Sequence, residues 1–310
     1  MSAAFPASTR AGPLRPSWAS SPSLRSSRYG FSSASTGCKG FCCRHSGSAV
    51  PSAASKRPPL QLDSSLASHA VASPNHGERL DPVSPALLIL HYTGMPDGKL
   101  ALARLSDPAS QVSCHYLVDE DGRIIQMVPE SRRAWHAGQA SWEGVTDINS
   151  HSIGIEIVNP GHEWGYRDFP AAQMTAVKAL CRDIVSRHGI RAHHVLGHSD
   201  IAPLRKTDPG ERFDWAGLAE EGIGLHVRPA AIQGGRFFSS GEAGQPIEAL
   251  QAMFSLYGYG IEVNGVYDAL TEAVVTAFQR HFRQARVDGV CDASTIETLR
   301  SLILAKQARM

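Results

Sequence analysis

Residues Ala86–Tyr92 read ALLILHY, five apolar residues in a row followed by a histidine and a tyrosine. A run of strand length with no polar alternation cannot show one face to water. It therefore predicts a central β-strand covered on both sides, which calls for a layered fold with helices packed over a sheet. The run stops at His91 and Tyr92, and Gly94 and Pro96 follow within a few residues. A histidine at the tip of a buried strand is either a satisfied core residue or a ligand.

A second stretch carries more chemistry. Val195–Trp215 reads VLGHSDIAPLRKTDPGERFDW. A short apolar approach delivers His198, and a turn-rich segment with Pro203, Pro209 and Gly210 can fold Asp208 back beside it. Imidazole nitrogen and carboxylate oxygen are both zinc donors, so the stretch could supply two corners of a metal site. On spacing alone it is equally well an ordinary surface loop. Ser152–Asn159, SIGIEIVN, alternates: Ile153, Ile155 and Ile157 share one face, and Gly154, Glu156 and Val158 share the other. Glu156 is either a solvated carboxylate or one held in a partly apolar cleft, where desolvation raises its pKa toward that of a useful base.

Ser113–Asp119 and Arg123–Val128 are expected to form two strands joined by the turn Glu120–Asp121–Gly122. Leu100–Leu105 is a short helical stretch. Gln173–His188 has apolar residues at three- and four-residue steps, with Gly189 to stop it, and predicts a helix lying on the sheet. Arg191–Gly197 is expected to return as a strand, which would point the adjacent His193 and His194 to opposite faces. Trp142 is expected to pack.

The flanks differ from this middle. Residues 1–73 are rich in Ser, Ala, Pro and Arg, lack apolar periodicity and are expected to be a disordered tail. The tail has no continuous apolar segment of a secretory signal. From Leu225 to Gln245 Gly, Ser, Pro and Ala prevail, which reads as a linker. Beyond it come three amphipathic helices. They carry Ile247, Leu250, Phe254 and Tyr257, then Val274, Phe278 and Phe282, then Ile296, Leu299 and Ile303. Two echoing turns, VNGVYDALT and VDGVCDAST, separate them, and each offers an Asp to cap the next helix. The expected domains are thus 1–73, 74–225, a linker 226–245, and 246–306.

Bulk properties narrow the classes. A formal net charge of +1 gives no electrostatic steering toward nucleic acid or an anionic membrane. No apolar run reaches the roughly 18 residues of a transmembrane helix. The six cysteines form no CxxC pair or disulfide framework, and Cys114 and Cys181 read as isolated buried thiols.

The segments LHYT, SCHYLVD, RAWHAG, GIE and GHSDIAPLRKTDPG, in this order along the chain, resemble the zinc-dependent N-acetylmuramoyl-L-alanine amidases of the type-2 amidase family. The C-terminal repeat is similar to the small three-helix peptidoglycan-binding domain. The resemblance implies an α/β fold, a mixed β-sheet flanked by helices, followed by a small all-α domain. It implies zinc held by His91, His198 and Asp208, with Glu156 as general base and Lys206 facing the developing oxyanion. It also implies a substrate groove lined by Trp135 and His136, with Tyr92, His115 and Asn159 as further substrate-binding residues. The implied reaction cleaves the amide between N-acetylmuramic acid and L-alanine in peptidoglycan or a muropeptide, in cell-wall turnover or recycling. The competing class is a non-catalytic peptidoglycan receptor of the same fold, which typically lacks the metal set. The wall-binding domain favours the periplasm or cell envelope, whereas the tail without an export signal is compatible with the cytoplasm. A monomer is expected.

Overall fold

The computed structural model of the chain describes residues 60–80 and 84–309. Short strands β1 (His69–Ala70) and β2 (His76–Gly77) precede the long β3 (Leu87–Tyr92) and helix α1 (Gly98–Ser106). Then come β4 (Tyr116–Val118), β5 (Ile124–Gln126), β6 (Arg133–Ala134), the turn-length α2 (Ile148–His151) and β7 (Ser152–Ile157). Helices α3 (Gly161–Trp164) and α4 (Ala171–His188) lead into β8 (Val195–Gly197), α5 (His198–Ile201) and α6 (Trp215–Glu220). The C-terminal part is α7 (Gln245–Tyr257), α8 (Ala269–Phe282) and α9 (Ala293–Gln307).

The main sheet runs β1-β5-β4-β7-β3-β8. Its middle is parallel: β3 pairs with β7 on one side and β8 on the other, and β4 pairs with β7. The β4–β5 hairpin is antiparallel, so the sheet is mixed, as expected. The apolar run of β3 is an interior strand, between β7 and the edge strand β8, and is buried on both faces. On one face Leu88, Leu90, Ile153, Ile155 and Ile157 meet Met174, Val177, Leu180 and Ile184 of α4. Each such side chain, fully buried, stabilises the fold by about 1.5–3 kcal/mol. Gly189, left-handed at φ 64°, ends α4.

The other face departs from the expected division. Leu87, Ile89 and Leu196 belong to the same apolar cluster as Trp142, Ile148, Phe254, Tyr257, Phe278 and Phe282. Trp142 packs, as expected, and its partners are Tyr257 and Tyr259, at ring-centroid distances of 5.9 and 5.0 Å. The expected linker 226–245 is irregular as far as 244, with α7 beginning at Gln245, yet Phe238 and Ala243 bridge to Cys291 and Val266. The three helices thus share one apolar core with this face of the sheet. Asp268 and Asp292 cap α8 and α9 by accepting from the Thr271 and Thr295 amides, each at 2.8 Å.

The expected tail 1–73 lies outside the described residues as far as 59. From Leu60 onward the chain is bound to the sheet, with Ser64, Ala67 and Ser73 buried. Ser68 and Val71 donate to the carbonyls of Ile124 and Gln126, both at 2.9 Å. Backbone hydrogen bonds hold this segment, so no apolar period marked it. Residues 192–194 form a 3-10 turn where strand was expected, and β8 starts only at Val195. Among the described cysteines, Cys114, Cys181 and Cys291 are free and buried.

Candidate active site

The carboxyl ends of parallel strands are where open α/β sheets gather ligands, and three ends meet here. Register places His91 of β3 directly opposite Glu156 of β7. Leu90 lies opposite Gly197, so His198 emerges from β8 beside His91. The loop after α5 is closed by a hydrogen bond from the Ser199 amide to the Asp208 carbonyl at 2.9 Å, which turns the Asp208 side chain back onto His198.

His91 Nδ1 and His198 Nδ1 are 2.9 Å apart, and each is 3.0 Å from Asp208 Oδ2. All three residues are buried. Partners behind the rings decide where the protons are. His198 Nε2 donates to the Ala137 carbonyl at 3.0 Å, which in the neutral ring leaves Nδ1 a lone pair. For His91 the chain runs back from a carbonyl. Ile148 can only accept, so the Ser152 hydroxyl donates to it at 2.6 Å. Ser152 Oγ then accepts from His136 Nε2 at 3.1 Å, and His136 Nδ1 accepts from His91 Nε2 at 3.0 Å. His91 Nδ1 is therefore a lone pair as well. Burial, then the neighbouring His198, pushes His91 down to about 4, so the ring is neutral at pH 7. Burial, then His91, pushes His136 well below its ordinary value.

Two imidazole lone pairs and a carboxylate oxygen thus converge with no proton among them. Left alone they repel, and a cation with N/O preference and bonds of about 2 Å fits the donor set. Burial, then the Asp208 carboxylate, raises Glu156 well above the usual carboxylate range, and Lys206 pulls it back in part. Its Oε2 is buried with no hydrogen-bond partner.

The remaining predicted residues divide. His136 does not open onto a groove as expected; it is buried and orients His91. Its ring lies against Gly154, where an added Cβ would come within 2.5 Å of it. His115, expected to bind substrate, is 0% exposed. Its Nδ1 accepts from the Gly154 amide at 3.0 Å, and burial, then Arg79, lowers it to about 3. Asn159 is also buried, and closes a turn by donating to Arg167 O at 2.8 Å and accepting from Gly161 N at 3.0 Å. Both side chains are thus buried and spend their hydrogen bonds on the strands and turns around the site. Tyr92 stays half-buried, its hydroxyl 2.8 Å from Thr207 Oγ1 and 3.0 Å from His162 Nδ1. Trp135 is half-buried beside Gly77, near the β2–β6 pair.

The sequence reading missed Ser152 and Asn149. Asn149 Oδ1 accepts from the His136 and Ala137 amides at 3.0 and 2.8 Å. Gly154 was the available signal, since a glycine in a β-branched strand marks a close approach. A second group, Glu143, His193 and His194, also resembles a metal set. The 3-10 turn brings both histidines toward Glu143, at 3.8 and 2.8 Å, where a strand would have parted them. Here the Lys306 ammonium already sits on Glu143 and donates to Tyr257 O at 2.7 Å, so the carboxylate has its cation within the chain.

A mixed sheet that brings two imidazoles, a carboxylate and a glutamate with one unpartnered buried oxygen to its strand ends has the donor set of a metal-assisted hydrolase. The chain belongs to the N-acetylmuramoyl-L-alanine amidase family. The model of that family matches residues 81–211, and the peptidoglycan binding domain family matches 243–299. N-acetylmuramoyl-L-alanine amidase AmiD of Escherichia coli is 38% identical over 224 residues, 67% of this chain and 79% of that protein. The E. coli 1,6-anhydro-N-acetylmuramyl-L-alanine amidase AmpD is 36% identical over 163 residues, covering 47% of this chain and 87% of AmpD. The solved complex of E. coli AmiD with anhydro-N-acetylmuramic acid-L-Ala-D-γ-Glu-L-Lys superposes with a TM-score of 0.62 at 35% identity, over 75% of this chain and 93% of that one. AmpDh3 of Pseudomonas aeruginosa gives 0.60 at 30% identity, over 80% and 99%. The protein is an N-acetylmuramoyl-L-alanine amidase. Among the described residues no helix is long and apolar enough to cross a membrane.

Proposed function

We propose that His91, His198 and Asp208 hold one zinc ion, with Glu156 as general base and Lys206 facing the oxyanion. The substrate would be a muropeptide such as the one bound by E. coli AmiD. The observation that carries this reading is the convergence of three acceptors at 2.9–3.0 Å with their protons committed elsewhere. When bound, zinc supplies a Lewis acid that polarises the scissile carbonyl and makes water acidic. The rest falls to the chain. His136 and Ala137 O fix the two imidazoles so that Nδ1 of each points inward. Glu156, beside His91 in the register, takes the proton of the attacking water and returns it to the departing L-alanine amine. Its raised pKa makes it a stronger base than an exposed glutamate. Lys206, whose charge is felt by both Glu156 and His91, balances the tetrahedral oxyanion. The C-terminal helices would hold peptidoglycan, in keeping with their family match.

The test is metal content together with turnover. The purified protein is expected to carry close to one zinc per chain and to release free amino groups from the muropeptide. A metal-free protein with full turnover would refute the ligand assignment.

A further inference from the structure

We propose that the C-terminal helical module positions a metal ligand: His281 and Tyr259 hold Asp200, and through it the turn that carries His198. The proposal rests on the reading of His198 as a ligand.

Helix α5 is four residues long, Gly197 caps it, and His198 is its first residue. A single turn fixes more backbone than its hydrogen bonds repay, so it keeps its shape only through contacts from elsewhere. Asp200 makes those contacts and is 0% exposed. Its Oδ2 accepts from the Gly197 amide at 2.8 Å and from His281 Nδ1 at 2.7 Å. Its Oδ1 accepts from the Tyr259 hydroxyl at 2.8 Å. Two of these three donors belong to the module, Tyr259 just beyond α7 and His281 on α8. A buried carboxylate is tolerated only when its oxygens are met by donors, so removing either one leaves a strong reason for the turn to shift.

His281 is itself held tightly. Its ring stacks at 3.7 Å on Trp215, the last residue of the same motif, and at 3.7 Å on Phe282. Its neighbours reach the same loop. Gln284 donates to Phe213 O at 2.8 Å, and Arg280 Nε lies 3.9 Å from Glu211 Oε2. The end of α8 therefore braces the segment His198–Trp215 at Asp200, Glu211, Phe213 and Trp215. A module whose only task was to grip a glycan would leave these polar side chains on its surface. Here they are turned inward, onto the loop that presents His198 and Asp208.

Full-length His281→Leu, His281→Asn and Tyr259→Phe are compared with the parent protein, loaded with zinc or with cobalt(II). Turnover uses the soluble muropeptide, so wall binding does not enter. Outer partners of metal ligands are typically worth 10–100-fold in affinity or activity. His281→Leu is expected to lose about that much in kcat and metal affinity with KM nearly unchanged, and to shift the cobalt d–d band. His281→Asn, whose amide nitrogen can stand where Nδ1 stands, should restore most of both. Tyr259→Phe should shift the band and lower kcat by a smaller factor. A folded His281→Leu protein with the parent's band, metal affinity and kcat overturns the proposal. Should that variant fail to fold, Tyr259→Phe decides, and a parental band and kcat there overturn it equally. A parent protein that binds neither metal instead sinks the ligand reading and the proposal with it.

Discussion

Asp200 lies on α5 and Asp208 on the loop that follows it, and both are buried. Their surroundings differ in kind. Asp200 is met only by donors: an amide, a phenol and an imidazole N–H. Asp208 is met by two imidazole nitrogens whose rings spend their protons on Ala137 O and, through His136 and Ser152, on Ile148 O. A carboxylate ringed by donors is complete and serves the fold. One ringed by lone pairs stays incomplete until a cation joins it. Burial does not separate the two; the direction of the neighbouring protons does. Glu143 has the composition of a second metal set but falls with Asp200, because Lys306 supplies its cation.

The sharpest way to break this contrast is to neutralise each carboxylate in turn. Asp208→Asn removes the charge that faces the lone pairs, and metal affinity should fall by more than the roughly 10–100-fold that outer partners are worth. Turnover should fall with it. Asp200→Asn should keep its metal at reduced affinity and lose stability, since its amide group would confront a donor. Competition against a chromogenic chelator measures both. Equal metal affinity in the two variants would erase the distinction.

Glu156 is a third case, a buried oxygen with no partner. Glu156→Gln keeps the shape and removes the proton acceptor, so kcat should drop by about 10²–10⁴-fold with zinc retained. Parental turnover would leave the attacking water without a base in this chain. Gly154→Ala comes next: its methyl would displace the His136 ring and with it the proton chain behind His91. A loss of about 10–100-fold in zinc affinity is expected. An unchanged affinity would mean that His136 does not orient the ligand.

The smallest effect concerns Glu130, a donor-satisfied carboxylate like Asp200. Burial pushes it up, but hydrogen bonds from Arg187, His188 and Tyr116 outweigh this and hold it well below the usual carboxylate range. A depressed folded pKa stabilises the protein above the unfolded value of about 4.3 and loses that contribution as pH falls toward the folded one. Glu130→Gln should therefore cost on the order of 2–3 kcal/mol at pH 7. The gap to the parent should narrow below about pH 4. Urea unfolding at pH 7 and at acid pH reads it, and a gap that does not narrow refutes the assignment.

What could be read ahead of the structure was whatever repeats along the chain or ends a run. The unbroken apolar stretch made β3 an interior strand covered on both faces, though one strand from the edge, and the periods of α4, α7, α8 and α9 gave those helices. The motif residues His91, His198, Asp208 and Glu156 do meet at the strand ends. Contacts between distant segments were not legible. Nothing near His136 says that its ring closes over Gly154, and nothing near His281 says that it reaches Asp200. The Gly/Ser-rich stretch before α7 suggested independence, yet Tyr259 and Phe278 share a core with β3. His193 and His194 went astray because a 3-10 turn and a strand look alike over so few residues.

One feature at the far side of the sheet bears on handling the protein. The segment beginning at Leu60 lies along β5, and β1 pairs with it in parallel, His69 opposite Ile125 and Ala70 opposite Gln126. The Glu130 amide donates to Asp63 Oδ2 at 2.8 Å, and the Ser73 amide to Met127 O at 2.9 Å. Composition alone would advise trimming the chain at Ser73. A chain cut there would bare the outer row of β5, an unpaired strand edge beside buried Ile124 and Ile125, which is a template for pairing with another molecule. Such a protein would keep every residue of the catalytic centre and fail as a solution of separate molecules.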